Sequence, residues 1–372
     1  MTTPAQTAAA LARIASVSGA RVEPQTLLPV EIVLELSGEA VRSRLCTFTD
    51  SNGHEHCLRP DLTTPIARLV ATGDLPPARY HASGQVYRLP PRGSNDPVEH
   101  LQVGFEWFGP IGASNCKSPE EDAEALAVAL EAASAGGAVG ASVRFGDVAI
   151  YHAVIDELGF SSQWRDRLRR AFSRRKGPRE LLEAAAGSQA GAPVLAASIG
   201  QLPQSEAVKA VQQMLADMGA EPVGRTVEDI AERLRDKARD RAPDAAASAA
   251  LIRYLGVSAP AGQSLAALQA FARDTGLKLT AALDVFSRRL DLIAKASPAF
   301  WNTAVFSAEV GRRFEYYDGF VFELARDPAF ERPIVSGGRY DGLITRLSGG
   351  QRAASAIGAA LRADRLTGQG AQ

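Results

Sequence analysis

Cysteine is scarce in this 372-residue chain, with three present: Cys46, Cys57 and Cys116. So few cannot staple a disulfide scaffold, and the scarcity suits a reducing compartment. Long apolar runs are missing too. No stretch of about 18 uncharged apolar residues occurs, so no membrane-spanning helix is expected. The first twenty residues are Ala-rich and carry only Arg13, without the basic start and leucine-type core of a secretion signal. An excess of one charge is also lacking: 41 Lys and Arg stand against 42 Asp and Glu, a formal net charge of −1. No overall field draws the chain to nucleic acid or membrane. Fixed-period repeats, a Walker loop, a Gly-x-Gly-x-x-Gly fingerprint and a Gly-x-Ser-x-Gly elbow are all absent. What is there is the composition of an ordinary soluble globular protein, 46% apolar and 22% charged, expected in the cytoplasm. Its length allows more than one domain.

Residues 20–110 mix β-like runs with turn clusters. Asp50-Ser51-Asn52-Gly53 lies between Leu45-Cys46-Thr47-Phe48 and His56-Cys57-Leu58, which reads as a hairpin. Ser118-Pro119-Glu120-Glu121 opens a helix: a capping serine, a proline at the first turn and acids at the positive helix end. Residues 161–295 carry Ala, Leu, Arg and Asp at helical spacing. They read as a mostly helical insert, broken near 187–193 and restarted at Arg241-Ala242-Pro243-Asp244. β-character returns at 303–306 and 319–324, and residues 355–366 read as a strand end leading into a helix. The expected organisation is a core formed by residues 1–160 and 296–372, interrupted by the insert. Irregular interleaving of strands and helices predicts an α+β fold with a mostly antiparallel sheet flanked by helices.

Three segments carry chemistry. Along Leu101-Gln102-Val103-Gly104-Phe105-Glu106-Trp107, alternation places Leu101, Val103, Phe105 and Trp107 on one apolar face. Gln102, Gly104 and Glu106 share the other. That second face suits either a small polar ligand, with Gly104 leaving room for it, or plain contact with water. Arg312-Arg313-Phe314-Glu315-Tyr316-Tyr317-Asp318-Gly319 reads as an anion and hydroxyl site or as an exposed ion pair beside covering tyrosines. In Leu58-Arg59-Pro60-Asp61-Leu62-Thr63, the carboxylate either holds an ammonium group or caps a helix.

Taken in order, these segments resemble histidyl-tRNA synthetases. Residues 58–63 resemble the family's Leu-Arg-Pro-Glu-Gly-Thr segment. Val86-Tyr87-Arg88 followed by Gln102 and Glu106 resembles motif 2 and the amino-acid strand. Arg312 to Tyr317 resembles the Arg-Gly-Leu-Asp-Tyr-Tyr signature. Gly337-Gly338-Arg339-Tyr340-Asp341-Gly342-Leu343 and Ala363-Asp364-Arg365-Leu366 resemble the following glycine segment and the end of motif 3. The resemblance runs from about Pro24 to Leu366, weakly in the middle. It implies a class II aminoacyl-tRNA synthetase-like core that dimerises near residues 19–29. It also implies a histidine pocket: Asp61, Thr63 and Gln102 at the α-amino group, Glu106 and Tyr317 at the imidazole, Arg312 at the carboxylate, and Tyr316 among the ligand-binding residues.

Departures shift the expected function. The motif 2 Arg-x-Glu becomes Arg88-Leu89-Pro90, and proline offers adenine neither charge nor side-chain hydrogen bond. The loop that follows carries Asp96 where phosphate would lie, and an acid there repels phosphate. Asp61 is one methylene shorter than the family's glutamate. Arg88 and Arg365 survive as residual nucleotide-site arginines. No anticodon-binding domain is expected after Leu366. A kept amino-acid pocket, a damaged nucleotide pocket and a missing tRNA domain together are similar to the synthetase paralogues that serve as regulatory subunits of ATP phosphoribosyltransferase. That similarity implies a non-catalytic role in histidine biosynthesis and its feedback control, with histidine as ligand. It implies a short-form catalytic subunit as partner in a hetero-octamer, with no cofactor, metal or tRNA. The alternative is a truncated synthetase-like enzyme that activates histidine or another amino acid. Two further signals are weighed against simpler readings. Cys46, His54, His56 and Cys57 lack the paired spacing of a zinc site. The arginines between Arg165 and Arg175 suit RNA, an acidic partner or a solvated helix face.

Overall fold

The computed structural model describes residues 3–112, 118–172, 177–187, 194–222, 226–239, 243–310 and 316–366. Twelve strands are present among them: β1 (Ala20–Arg21), β2 (Leu27–Pro29), β3 (Thr47–Thr49), β4 (Glu55–Leu58), β5 (Arg79–Tyr87), β6 (Glu99–Phe108), β7 (Ser142–Asp147), β8 (Ser258–Pro260), β9 (Val305–Ser307), β10 (Phe320–Ala325), β11 (Val335–Arg339) and β12 (Ala356–Arg362). Nine form one sheet in the order β1-β5-β6-β12-β11-β10-β7-β9-β8, and β2-β4-β3 form a second. The large sheet is antiparallel except where β1 meets β5 and β7 meets β9. This is the expected class II-like α+β core.

The predicted hairpin is β3–β4, with Thr47 opposite Cys57. Cys57 is buried beneath it beside Leu28, Val30, Val33 and Leu45. Burial pushes its thiol up to about 11, so it acts as a small apolar core residue. His56 is turned to Asp50, with Nε2 at 3.2 Å from Oδ2, and stacks on Phe48. The hairpin residues therefore have local partners. Cys116 lies outside the described residues.

Alternation in β6 works as the sequence implies. Val103, Phe105 and Trp107 face a core shared with the helices Pro4–Ala15 and Pro119–Ala135. Each fully buried aromatic contributes roughly 1.5–3 kcal/mol. The helix Pro119–Ala135 begins as read, with Ser118 Oγ accepting from Glu121 N at 3.2 Å. Its Asp122 is fully buried between two buried arginines. Arg289 Nε and Arg339 Nε each donate to it at 2.7 Å, and Arg289 Nη1 donates to Asp147 at 2.6 Å. Such a charge set is satisfied only when complete. It fixes β11, which ends at Arg339, and so the position of Tyr340.

The helical stretch divides by packing. Helices Ser162–Phe172, Pro178–Gly187, Ala245–Leu255, Ala261–Thr275 and Thr280–Ala296 bury Leu168, Leu182, Tyr254, Phe271 and Phe286 in the core of the large sheet. Helices Val194–Gly200, Gln204–Asp217 and Val227–Arg239 close around their own cluster of Ile199, Ala207, Val211 and Ala231. β8 is a strand within a stretch read as helical. Asp244 caps the helix Ala245–Leu255 through Ala247 N at 2.9 Å. Most of the expected break near 187–193 falls outside the described residues, as do Arg241 and Ala242. The end of the chain differs from expectation: β12 leads into a single 3-10 turn, Ala363–Arg365, because Arg365 turns back to Pro333 and Asp96. No helix among the described residues is long and apolar enough to cross a membrane.

Candidate functional site

The other face of β6 is buried too. Gln102 is 4% exposed and Glu106 3%. The room that Gly104 provides is taken by the protein itself: a Cβ there would lie 2.6 Å from the Ala359 carbonyl of β12. The glycine that makes space for the site is Gly358, opposite Glu106 in the β6–β12 register. A Cβ on Gly358 would sit 1.8 Å from Glu106 Oε2.

Over this face opens a cavity of about 910 Å³, lined among others by Asp61, Thr63, Arg88, His100, Gln102, Tyr316, Tyr317, Tyr340 and Arg365. Asp61 reaches it from the turn before the helix Thr63–Thr72. Of the two sequence readings of Asp61, the helix cap is seen directly. Its Oδ1 accepts from Thr64 N at 2.8 Å, so the carboxylate caps the helix while lining the cavity. Arg59 anchors that turn. Its Nε donates to Gln85 O at 2.8 Å and its Nη1 to Pro24 O. Arg88 Nε donates to Pro60 O at 2.5 Å, tying the motif 2 strand to the same turn.

Glu106 stands behind two groups that line the cavity. Thr63 Oγ1 donates to its Oε1, and the Tyr340 hydroxyl donates to its Oε2. Burial raises its carboxyl to about 8, against the pull of the Thr63 and Tyr340 hydrogen bonds, with nearby Asp61 adding to the rise. Tyr316, Tyr317 and Tyr340 pack ring to ring at 4.8–6.3 Å. Burial pushes all three phenols well up, so each hydroxyl keeps its proton. Arg312 lies outside the described residues.

His100 belongs to the site and was missed in the sequence. It is two residues before Gln102 on the same face, so extending the alternation by one step would have found it. It is 4% exposed, and neither ring nitrogen has a protein partner. Burial, aided by the Arg362 and Arg88 charges, holds its pKa down to about 3, so the ring is neutral. Gln102 Oε1 also lacks a protein partner. Buried polar atoms without partners are costly, and a bound polar ligand relieves that cost.

The other end of the cavity is cationic. Asp96, expected only to repel phosphate, instead pairs with arginines: Arg365 Nη2 donates to its Oδ2 at 2.8 Å and Arg332 Nη2 to its Oδ1 at 3.1 Å. Arg362 pairs with Asp364 at 2.7 Å. Away from the cavity, the arginine run pairs within the chain. Arg169 donates to Asp156 at 2.8 Å, Arg165 lies 3.7 Å from the same carboxylate, and Arg167 stacks over Trp164. Arg174 and Arg175 lie outside the described residues.

Comparisons with known proteins agree with the fold. The family model for histidyl-tRNA synthetase matches residues 4–257 and 234–366. The chain is 31% identical over 355 residues to the ATP phosphoribosyltransferase regulatory subunit of Brucella anthropi, covering 93% of this chain and 92% of that protein. It is 32% identical over 360 residues to that of Mesorhizobium japonicum, with the same coverage. Among solved structures, an ATP phosphoribosyltransferase regulatory subunit/histidyl-tRNA synthetase from Bacillus halodurans superposes with a TM-score of 0.62 at 21% identity, over 98% of this chain and 80% of that one. Histidyl-tRNA synthetase from Nostoc sp. PCC 7120 does so with a TM-score of 0.60 at 14% identity, over 97% and 69%.

Proposed function

Because the chain belongs to the ATP phosphoribosyltransferase regulatory subunits, relatives of histidyl-tRNA synthetase, we propose that its cavity binds free histidine and reports histidine supply to a short-form catalytic partner. The observation that carries this reading is the pair of buried side chains, Gln102 and His100, whose polar atoms lack protein partners on a floor that also holds Asp61 and three tyrosines. An ammonium group finds the Asp61 carboxylate, and a neutral N–H ring finds hydroxyl and amide oxygens. The resemblance to histidyl-tRNA synthetases assigns the ligand carboxylate to Arg312.

Feedback follows if histidine binds one state of the complex better than another, since only differential affinity shifts an equilibrium. The chain itself performs no chemistry in this reading: Pro90 removes the adenine contact, and Asp96 neutralises Arg365. It works in the cytoplasm, without cofactor, metal or tRNA. It pairs with a second copy near residues 19–29, where Leu27 is 51% exposed, and with the catalytic subunit in a hetero-octamer.

The test is calorimetric titration of histidine into the purified chain, with histidine-dependent ATP–pyrophosphate exchange measured in parallel. Binding without exchange is the expected result. Exchange above that of an Asp61→Ala control would replace this reading with an amino-acid-activating enzyme. Co-expression with a short-form catalytic subunit should give one mixed peak by light scattering, and two separate peaks would remove the partner assignment.

A further inference from the structure

The cationic end of the cavity has a feature that histidine binding does not use. Six arginines line the cavity, against the carboxylates of Asp61, Asp96 and Glu331 among the described residues. Asp96 places one oxygen on Arg365 and the other on Arg332. Two guanidinium groups sharing the oxygens of one anion is also how a phosphate group is gripped. The loop that carries Asp96 is stiff. Pro90, Pro91 and Pro97 restrict it, Ser94 N donates to Pro91 O at 3.0 Å, and Asp96 N donates to Ser94 Oγ at 3.2 Å. Arg365 is also held independently, its Nη1 donating to Pro333 O at 3.0 Å. The arginine therefore keeps its place whether or not the aspartate is there.

We infer that Asp96 is a tethered anion occupying an oxyanion subsite built from Arg365 and Arg332, and that it closes this subsite to polyphosphates while leaving the floor open to a zwitterion. A tethered group competes at the high effective concentration of an intramolecular contact, so a free anion of similar chemistry is displaced. Electrostatics around the subsite agree. Burial of Asp96 works to raise its carboxyl, but Arg365, Arg362 and Arg332 outweigh it and hold the group ionised below its ordinary range. Crowding shows at Arg365 as well, whose pKa is lowered by burial and then by Arg362. Removing the aspartate charge leaves those cations facing a cavity with one carboxylate fewer. The inference does not depend on which amino acid fills the floor.

Calorimetry with inorganic pyrophosphate and with ATP, on the full chain, tests it. The wild type should give no saturable heat with either at millimolar concentration. Asp96→Asn should bind pyrophosphate at least about tenfold tighter, more weakly as salt rises. Asp96→Glu keeps the carboxylate and should stay closed, and Asp96→Asn with Arg365→Gln should lose the gain. ATP binding Asp96→Asn more tightly than pyrophosphate does would identify a nucleotide as the excluded anion; equal binding would identify the polyphosphate alone. Equal affinity of wild type and Asp96→Asn would overturn the inference, and so would a gain that survives Arg365→Gln. Histidine titrated into the same samples reads the floor separately. A failure to bind histidine sinks the proposed ligand and leaves the anion result standing.

Discussion

The two ends of the cavity solve opposite electrostatic problems by different means. At the floor, Glu106 is buried behind Thr63 and Tyr340 and hydrogen-bonded to both, so it presents no charge of its own to the cavity. At the mouth, Arg365, Arg362 and Arg332 are each balanced across a solvent-accessible contact by an aspartate. The floor is a hydrogen-bond template of neutral side chains, Thr63, Gln102 and the three tyrosines, beside the single carboxylate of Asp61. The mouth is an ion-pair set that salt and substitution can loosen. Specificity in the first is set by geometry; in the second, by a replaceable counter-ion.

The largest expected effect sharpens this contrast through pH. Glu106 holds its proton in the folded state up to about 8 but loses it in the unfolded chain near its ordinary 4.5. The native state therefore binds more protons across that window, and stability falls as pH rises through it. The loss is about 4 kcal/mol between pH 4.5 and pH 8. Glu106→Gln should flatten the curve in denaturant titrations across that range; an unchanged slope would place the proton elsewhere. His100 acts at the other side, since a group held neutral to about 3 loses stability as pH falls below 6.5.

Next, Asp61→Asn should weaken histidine binding by roughly 2 kcal/mol, about thirtyfold, by removing a charge-assisted partner. Calorimetry at constant pH reads this, and undiminished affinity would remove Asp61 from the ammonium site. Gly358→Ala should lower stability by about 1–2 kcal/mol, because the added methyl meets both the Glu106 carboxylate and the Phe105 carbonyl. A melting temperature equal to wild type would show that Glu106 can move aside. The smallest effect falls at the mouth. Arg332→Ala breaks a half-exposed pair and should change stability and histidine affinity by less than about 0.5 kcal/mol. A larger loss in histidine binding would join the two ends into one site.

Much of the floor was legible because strand alternation is local: β6 announces its polar face in seven residues. The caps at Ser118 and Asp244 were legible for the same reason, each lying within three residues of the amide it binds. Asp61 and Thr63 could be placed only by resemblance, since nothing local distinguishes a ligand carboxylate from a helix cap, and here the capping carboxylate also lines the cavity. What sequence could not show was pairing across distance. The role of Gly358 depends on its lying opposite Glu106, and the role of Asp96 on Arg365 folding back beside it. The same limit applies to Glu106: alternation fixes the face of a side chain, not what stands in front of it.

The strand order has a consequence for synthesis on the ribosome. β6 lies between β5 and β12, the last of the described strands to be made. At the usual 5–20 residues per second, the about 250 residues separating β6 from β12 take roughly 12–50 s to emerge. Throughout that interval the β6 edge has no hydrogen-bonding neighbour, and Asp122 has neither of its arginines until Arg289 and then Arg339 are made. The nascent N-terminal region thus waits with an open strand edge, the kind of surface that makes a partly folded chain prone to aggregate.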